Sequence, residues 1–384
     1  MKLFKIIILK DKMFSIDRKR LSNAGKRYIT DRCTIKAKRN IYDPTPVIHY
    51  TFKTETILKD TKSIMIHVPL GMWIDILCND EMLDDSNTDT TDDIFPNPLP
   101  LEFIPEERAV FKGSLLTKDT DPSGRGRDQD VVFQSAIEYL EKYHFLMLSL
   151  YTGFGKTVIG CRLFVQYRLP SLILTFANVV KNNWASELAR FTDLRVCLID
   201  KHTSIPIGYD IYIVGIEKCS KFKREDFDHI KLLLIDEVHM SSISIFTEVA
   251  FLFRPVYLIG MSATPDSRSD GLITLYEPFF GTDYIVRKEV KECRLIKLLS
   301  GYVPKELYRV YKGKACVDWI GTLSDMAASE YRHVMIRDLV MDVLSGTNLL
   351  GCNSTDSNSA KIVVMCERRE TAKAVYNLLK ELVY

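Results

Sequence analysis

The sequence predicts an α/β protein built on a mostly parallel sheet with flanking helices. Two observations carry this expectation. Between residues 128 and 290, six short apolar runs recur, with helical stretches between most of them; such alternation marks strands buried on both faces of a parallel sheet. Three polar motifs also each close one of those runs, and ligands of such sheets bind at the carboxyl ends of the strands.

The elements follow in chain order. Residues 1–83 mix short β-like runs (6–9, 47–52 and 63–68) with a basic stretch over 18–39. An acidic, polar tract at 84–93 and a Gly-rich cluster at 119–127 read as breakers. Strands are expected over 145–150, 171–175, 196–199, 211–214, 232–235 and 256–259, and helices over 131–142, 157–167 and 179–191. Further on, 323–344 reads as helix, 345–360 as a loop, 361–366 as strand and 370–382 as amphipathic helix. The expected domains are an N-terminal α+β accessory region (1–117), the main α/β lobe (118–290) and the beginning of a second sheet domain (291–384).

Composition narrows the class. A net charge of +2 gives no bulk attraction to nucleic acid, so any basic track must be local. The nine cysteines form no C-x-x-C pair, which argues against a zinc site or a disulfide framework and for a reducing compartment, cytosolic or nuclear rather than secreted. The apolar run near the N-terminus is short and broken by lysines, and no segment is long enough for a membrane span, so no membrane partner is expected.

The three motifs carry the chemistry. In Thr152-Gly153-Phe154-Gly155-Lys156-Thr157 the glycines let backbone N–H groups turn inward around phosphate oxygens, and the helix that starts there adds its positive end. Lys156 is placed to reach the β- and γ-phosphates of ATP, and the Thr157 hydroxyl to bind Mg²⁺. The usual first glycine of the phosphate loop is replaced by Leu150. Asp236 and Glu237 end a four-residue apolar run; the first can hold Mg²⁺ and the second can polarise an attacking water. His239 is placed to hydrogen-bond toward Ser262-Ala263-Thr264-Pro265, where Ser262 and Thr264 sit on a tight turn.

These motifs resemble motifs I, II and III of superfamily 2 DEAD/DEAH-type helicases. The Phe154, Leu150 and Val238-His239 variations and the continuation Pro265-Asp266-Ser267-Arg268-Ser269-Asp270-Gly271 resemble the XPB-like branch. That branch includes helicases of large cytoplasmic DNA viruses, among them the poxvirus transcript-release helicase. The resemblance runs over roughly residues 125–384 and implies a RecA-like first lobe and the start of a second RecA-like lobe. It also implies ATP and Mg²⁺ as cofactors, and DNA or RNA as partner with weak sequence preference. Transcription machinery is a further partner it allows, in the cytoplasm, a viral factory or the nucleus.

By the same resemblance Gln129, with Arg127, contacts adenine, Gln134 being a rival. Lys181, Lys218, Lys221 and Lys223 become phosphate contacts, and Phe176 stands where the family has proline. Residues 363–379 resemble motif IV, but no later Gln/Arg-x-x-Gly-Arg-x-x-Arg element occurs. The chain is therefore expected to be C-terminally incomplete, to bind ATP and to hydrolyse it slowly. A non-catalytic ATP-binding scaffold of a viral transcription complex is the alternative; a nuclease subunit would need an acidic nuclease motif that the 84–93 carboxylates do not provide.

Overall fold

The computed structural model describes residues 14–37, 48–51, 54–57, 64–72, 75–76, 79–84, 101–124, 126–200, 205–219, 221–240, 253, 255–265, 276–289, 301–311, 314–345, 362–366 and 368–383. The run expected at 6–9 lies outside them, as does the loop expected at 345–360 apart from Ser345, which ends a helix. The chain divides into two compact units, Met1–Glu289 and Val290–Tyr384.

The first unit opens with an α+β module. It contains β1 (Phe14–Asp17), α1 (Asn23–Arg32), β2 (Thr34–Ala37), β3 (Ile48–Thr51), β4 (Thr54–Ile57) and β5 (Ile64–Val68). β5 pairs antiparallel with β1 and β4, and β2 pairs antiparallel with β3. Ser22 caps α1 by accepting the Gly25 N–H at 3.0 Å, which satisfies one of the helix's open donors.

The lobe that follows contains α2 (Gln129–Tyr143), β6 (Phe145–Leu150), α3 (Lys156–Tyr167), β7 (Ser171–Thr175), α4 (Asn178–Phe191), β8 (Val196–Ile199), β9 (Ile211–Gly215), α5 (Ile216–Cys219), β10 (Leu232–Asp236), β11 (Tyr257–Ser262), α6 (Glu277–Phe280) and β12 (Ile285–Arg287). Seven strands form one sheet in the order β12-β6-β11-β10-β7-β9-β8, and every pairing is parallel. The six strands expected from sequence all form. β12 is the addition; three residues with little burial leave no readable apolar run.

Both faces of the sheet are buried. One face, with Leu146, Leu148, Ile173, Ile213, Leu234 and Ile259, packs under α2, α3 and α4. The other, with Met147, Leu174, Tyr212, Val214, Leu233 and Ile235, shares one apolar cluster with Ile16, Leu21, Ile29, Ile66 and Val68 of the N-terminal module. The stretch 101–116 also lies on the lobe: the Ile104 N–H donates to the Arg168 carbonyl, and the Lys112 N–H to that of Phe191.

The second unit holds an antiparallel hairpin, β13 (Tyr308–Tyr311) and β14 (Lys314–Val317), and the helices α7 (Trp319–Ala328), α8 (Glu330–Ser345) and α9 (Arg369–Val383). The single helix expected over 323–344 is two, because Ser329 takes extended backbone (φ −67°, ψ 109°). The strand expected at 361–366 is absent from the described part of that segment: residues 362–366 pair with no strand, and Met365 is 92% exposed. An apolar run specifies a strand only when an edge is there to pair with it.

Candidate functional site

Parallel pairing brings the ends of β6, β11 and β10 side by side at one edge. The loop after β6 turns on Gly153 (φ 87°) and Gly155 (φ 108°), conformations that only glycine adopts without strain. Gly155 is the N-cap of α3, and no side chain caps that helix. Its open N–H groups and positive end therefore face the loop. Thr152 and Gly153 are exposed, Lys156 and Thr157 are half-buried and Phe154 is buried. The Phe154 ring meets Tyr151 edge-on and pins the loop to the core.

The loop is held from three sides. The Gln129 side chain is buried; its Nε2 donates to the Phe154 carbonyl at 2.7 Å, and its Oε1 accepts the Leu116 N–H at 3.0 Å. A Cβ on Gly155 would lie 2.2 Å from Gln129 Nε2, so the close approach itself requires glycine. Arg127 Nη1 donates to the Gly153 carbonyl at 3.1 Å. The Tyr151 N–H donates to the carbonyl of Arg287 at the end of β12, and the Arg287 guanidinium pairs with Asp128.

Arg127 is fixed in turn by Asp121, whose carboxylate accepts from the Arg127 side chain and backbone and from Ser123. Arg127 foremost holds the Asp121 carboxyl far below the usual carboxylate range. Gln134, the rival of Gln129, is exposed on α2.

At the end of β10, Asp236 is buried. Its Oδ2 accepts the Trp184 indole N–H at 2.7 Å and its Oδ1 accepts the Glu237 N–H at 2.9 Å. Burial pushes the Asp236 carboxyl up, and the Trp184 donor and Lys156 oppose that only in part. Glu237 has φ +50°, a left-handed conformation that an unbranched L residue adopts at a cost of order 1–3 kcal/mol. Its Oε1 lies 3.4 Å from Lys156 Nζ. Its Oε2 is buried without a hydrogen bond, 3.3 Å from His239 Nδ1. His239 Nδ1 also lies 2.9 Å from Ser262 Oγ, which accepts the Thr264 N–H at 3.1 Å.

The structure thus joins Lys156 to Glu237, and His239 to both Glu237 and Ser262. Thr157 stands one residue along α3 from Lys156. The lysines expected to contact phosphates divide. Lys181 is 3% exposed and its ammonium pairs with Asp200. Lys218 pairs with the same carboxylate at 3.3 Å. Lys221 and Lys223 are exposed. Phe176 is half-buried at the end of β7. Sequence reasoning missed the Asp121 clamp, Arg287 and the Trp184 donor. An Asp and an Arg six apart around a Gly-rich turn was the only readable sign; the other two depend on long-range packing.

A phosphate loop, an Asp-Glu strand end and a Ser-x-Thr turn on adjacent strands of one parallel sheet define a RecA-like nucleotide-binding lobe. Residues 126–267 match the family described as "Type III restriction enzyme, res subunit". The chain is 30% identical over 256 residues to the helicase-named protein 161L of Invertebrate iridescent virus 6, covering 63% of this chain and 53% of that one. It is 26% identical over 162 residues to the protein named DNA 3'-5' translocase XPB2 of Sulfurisphaera tokodaii, covering 42% of this chain and 36% of that one. Among solved structures, the UvsW helicase of bacteriophage T4 is 13% identical, covering 68% of this chain and 92% of that one, with a TM-score of 0.43. The chain spans about half the length of the two invertebrate iridescent virus relatives it matches (53% and 58%). The chain is thus similar to helicase-named proteins of large DNA viruses and to an XPB-named translocase, with the family match confined to residues 126–267.

Proposed function

We propose that this chain is an ATP-dependent nucleic-acid translocase or helicase, with DNA as its track. The observation that carries this reading is the meeting of Lys156 and Glu237 at 3.4 Å, at the open N-terminus of α3. Lys156 leaves Glu237 when a triphosphate enters and binds its β- and γ-oxygens, while N–H groups of the loop around Gly153 and Gly155 wrap the remaining oxygens. Gln129 and Arg127 keep the loop in that shape. The Gln129 amide, buried and bonded to both Leu116 and Phe154, is a strut of the loop and not the contact to the adenine edge that the resemblance implied.

Glu237 Oε2, buried and without a hydrogen bond, is the atom that accepts from the attacking water. Release of the other oxygen, Oε1, from Lys156 couples nucleotide binding to base readiness. His239, bonded to Ser262, carries the change from the end of β10 to the turn holding Thr264, and so toward the strand-gripping surface.

A divalent cation fits this donor set: Thr157 offers a hydroxyl and Asp236 a carboxylate, hard oxygen ligands of the kind Mg²⁺ takes. The Asp236 carboxyl is also left under-compensated by its own surroundings. Bound there, Mg²⁺ supplies Lewis-acid neutralisation of the phosphate charge.

Grip on the track runs through phosphates, so binding is salt-sensitive and weakly sequence-selective. The 384 residues contain no Gln/Arg-x-x-Gly-Arg-x-x-Arg element. Where a motor supplies arginines at the γ-phosphate, they are worth roughly 10³–10⁵ in rate.

ATP binding and hydrolysis by the chain, with and without single-stranded DNA or RNA, test the reading. Binding of ATP together with turnover stimulated by nucleic acid supports it, and stronger stimulation by RNA moves the track assignment. Failure to bind ATP ends it, and binding with no turnover under any condition leaves the scaffold.

A further inference from the structure

We propose that Trp184 is a positioning residue for Asp236, and that through its indole N–H the helix α4 sets how strongly the nucleotide site takes its divalent cation. This rests on the nucleotide-site reading above. Trp184 has no solvent exposure, and its Nε1 lies 2.7 Å from Asp236 Oδ2. An indole can only donate, so the contact leaves the carboxylate an acceptor. A hydrogen bond to a carboxylate in a dry site is also among the stronger neutral-donor contacts.

With the Glu237 N–H on Oδ1, Asp236 is held by donors from two elements. About half of its lone-pair sites remain for a ligand. Its rotamer is set before any cation arrives.

The indole itself cannot drift. A Cβ on Gly160 of α3 would lie 2.6 Å from Trp184 Cη2, so the ring fills the space that glycine vacates. Phe164, one turn further along α3, meets the ring edge-on at 6.3 Å. One side chain of α4 therefore touches the helix that starts at Lys156 and the strand that ends at Asp236. The same helix carries Lys181, three residues earlier and tied to Asp200 beside Lys218. A shift of α4 on its strand-facing side moves the donor that orients Asp236.

Trp184→Phe keeps an aromatic side chain, smaller than the indole, and removes the donor. In the full chain, binding of ATP bearing a fluorescent ribose label is measured first in EDTA and then over a Mn²⁺ titration. The expected result is metal-free affinity within about twofold of wild type, with the Mn²⁺ midpoint raised about 10–100-fold, the range for loss of a partner behind a metal ligand. A midpoint within about twofold of wild type overturns the proposal. If the wild-type chain binds no labelled ATP in either condition, the nucleotide-site reading fails, and this inference falls with it.

Should Trp184→Phe not fold, the wild-type chain labelled with ¹⁵N at its three indoles, Trp73, Trp184 and Trp319, answers the same question. The Trp184 N–H resonance, assigned with Trp73→Phe and Trp319→Phe, is expected to move when Mg²⁺ joins the ATP complex, and to stay in Asp236→Asn. A Trp184 resonance that ignores Mg²⁺ in the wild type overturns the proposal.

Discussion

Glu237 concentrates the chemistry at the scale of single residues. It combines a left-handed backbone, a buried oxygen without a hydrogen bond and an ion pair to the phosphate-loop lysine. Such strain persists only where the surroundings impose it; here the Asp236 carboxylate, accepting the Glu237 N–H, does so. Replacing Glu237 with Gln keeps the shape and removes the proposed base. Labelled-ATP affinity should stay near wild type while nucleic-acid-stimulated turnover falls about 10²–10⁴-fold; wild-type turnover in Glu237→Gln would remove it from the mechanism. Lys156→Ala takes away the cation proposed to meet the phosphates, so ATP binding should be lost in the same assay. Unchanged affinity in that variant would show that the loop does not cradle phosphate.

At the scale of elements, α3 and α4 are locked to one another through Gly160 and Trp184. Alanine is the better helix former by roughly 0.8–1 kcal/mol, so an isolated helix would gain from Gly160→Ala. Here the new methyl meets a ring in a sealed core at 2.6 Å, and overpacking of this kind costs about 1–3 kcal/mol. The packing term wins, and the variant should melt below wild type; a higher melting temperature would mean that the ring yields. The contact of α6 with the N-terminal module follows the same logic. A Cβ on Gly71 would stand 2.8 Å from the Pro278 carbonyl oxygen and from Phe279 backbone, and Arg32 pairs with Glu277 beside it. That junction admits no side chain at residue 71.

For the molecule as a whole, the first unit is one body because the second face of its sheet is covered in part by the N-terminal module. Buried carboxylates tie its outer segments to that body. Asp210 accepts from the Arg195 backbone and from the Arg108 and Arg195 guanidinium groups. Burial alone would raise its carboxyl, but these donors outweigh burial and hold it below its ordinary value. Asp121 is lowered as well, by Arg127 first. A carboxyl lowered in the folded state contributes stability that is fully present above the unfolded value of 3.8 and is lost as pH falls through the folded one. Urea midpoints should therefore hold from neutrality down to about pH 5 and drop below about pH 4. In Asp210→Ala the neutral-pH stability should fall by about 1–3 kcal/mol, since two partly exposed arginines keep water as a substitute, and the acid drop should shrink. An acid limb as steep as wild type in that variant would assign the effect to other carboxylates.

The sequence by itself determined the sheet and the position of the motifs. Runs such as 145–150, 171–175 and 232–235 are mostly apolar and buried at every position because both faces of a parallel sheet are covered, and that pattern survives in one dimension. Glycines at 153 and 155 and the Asp236-Glu237 pair are legible for the same local reason: turn geometry and strand-end carboxylates depend on neighbours in the chain. Only the tertiary structure decided what lies across it. It tied Gln129 to Leu116 and Phe154, spent Lys181 on Asp200, added β12 at the sheet edge and left 362–366 without a paired strand. Above all it set the indole of Trp184 on the carboxylate of Asp236. These are contacts between residues far apart in sequence, and their free energy depends on burial and on which donors arrive at one place, a quantity that no local pattern encodes.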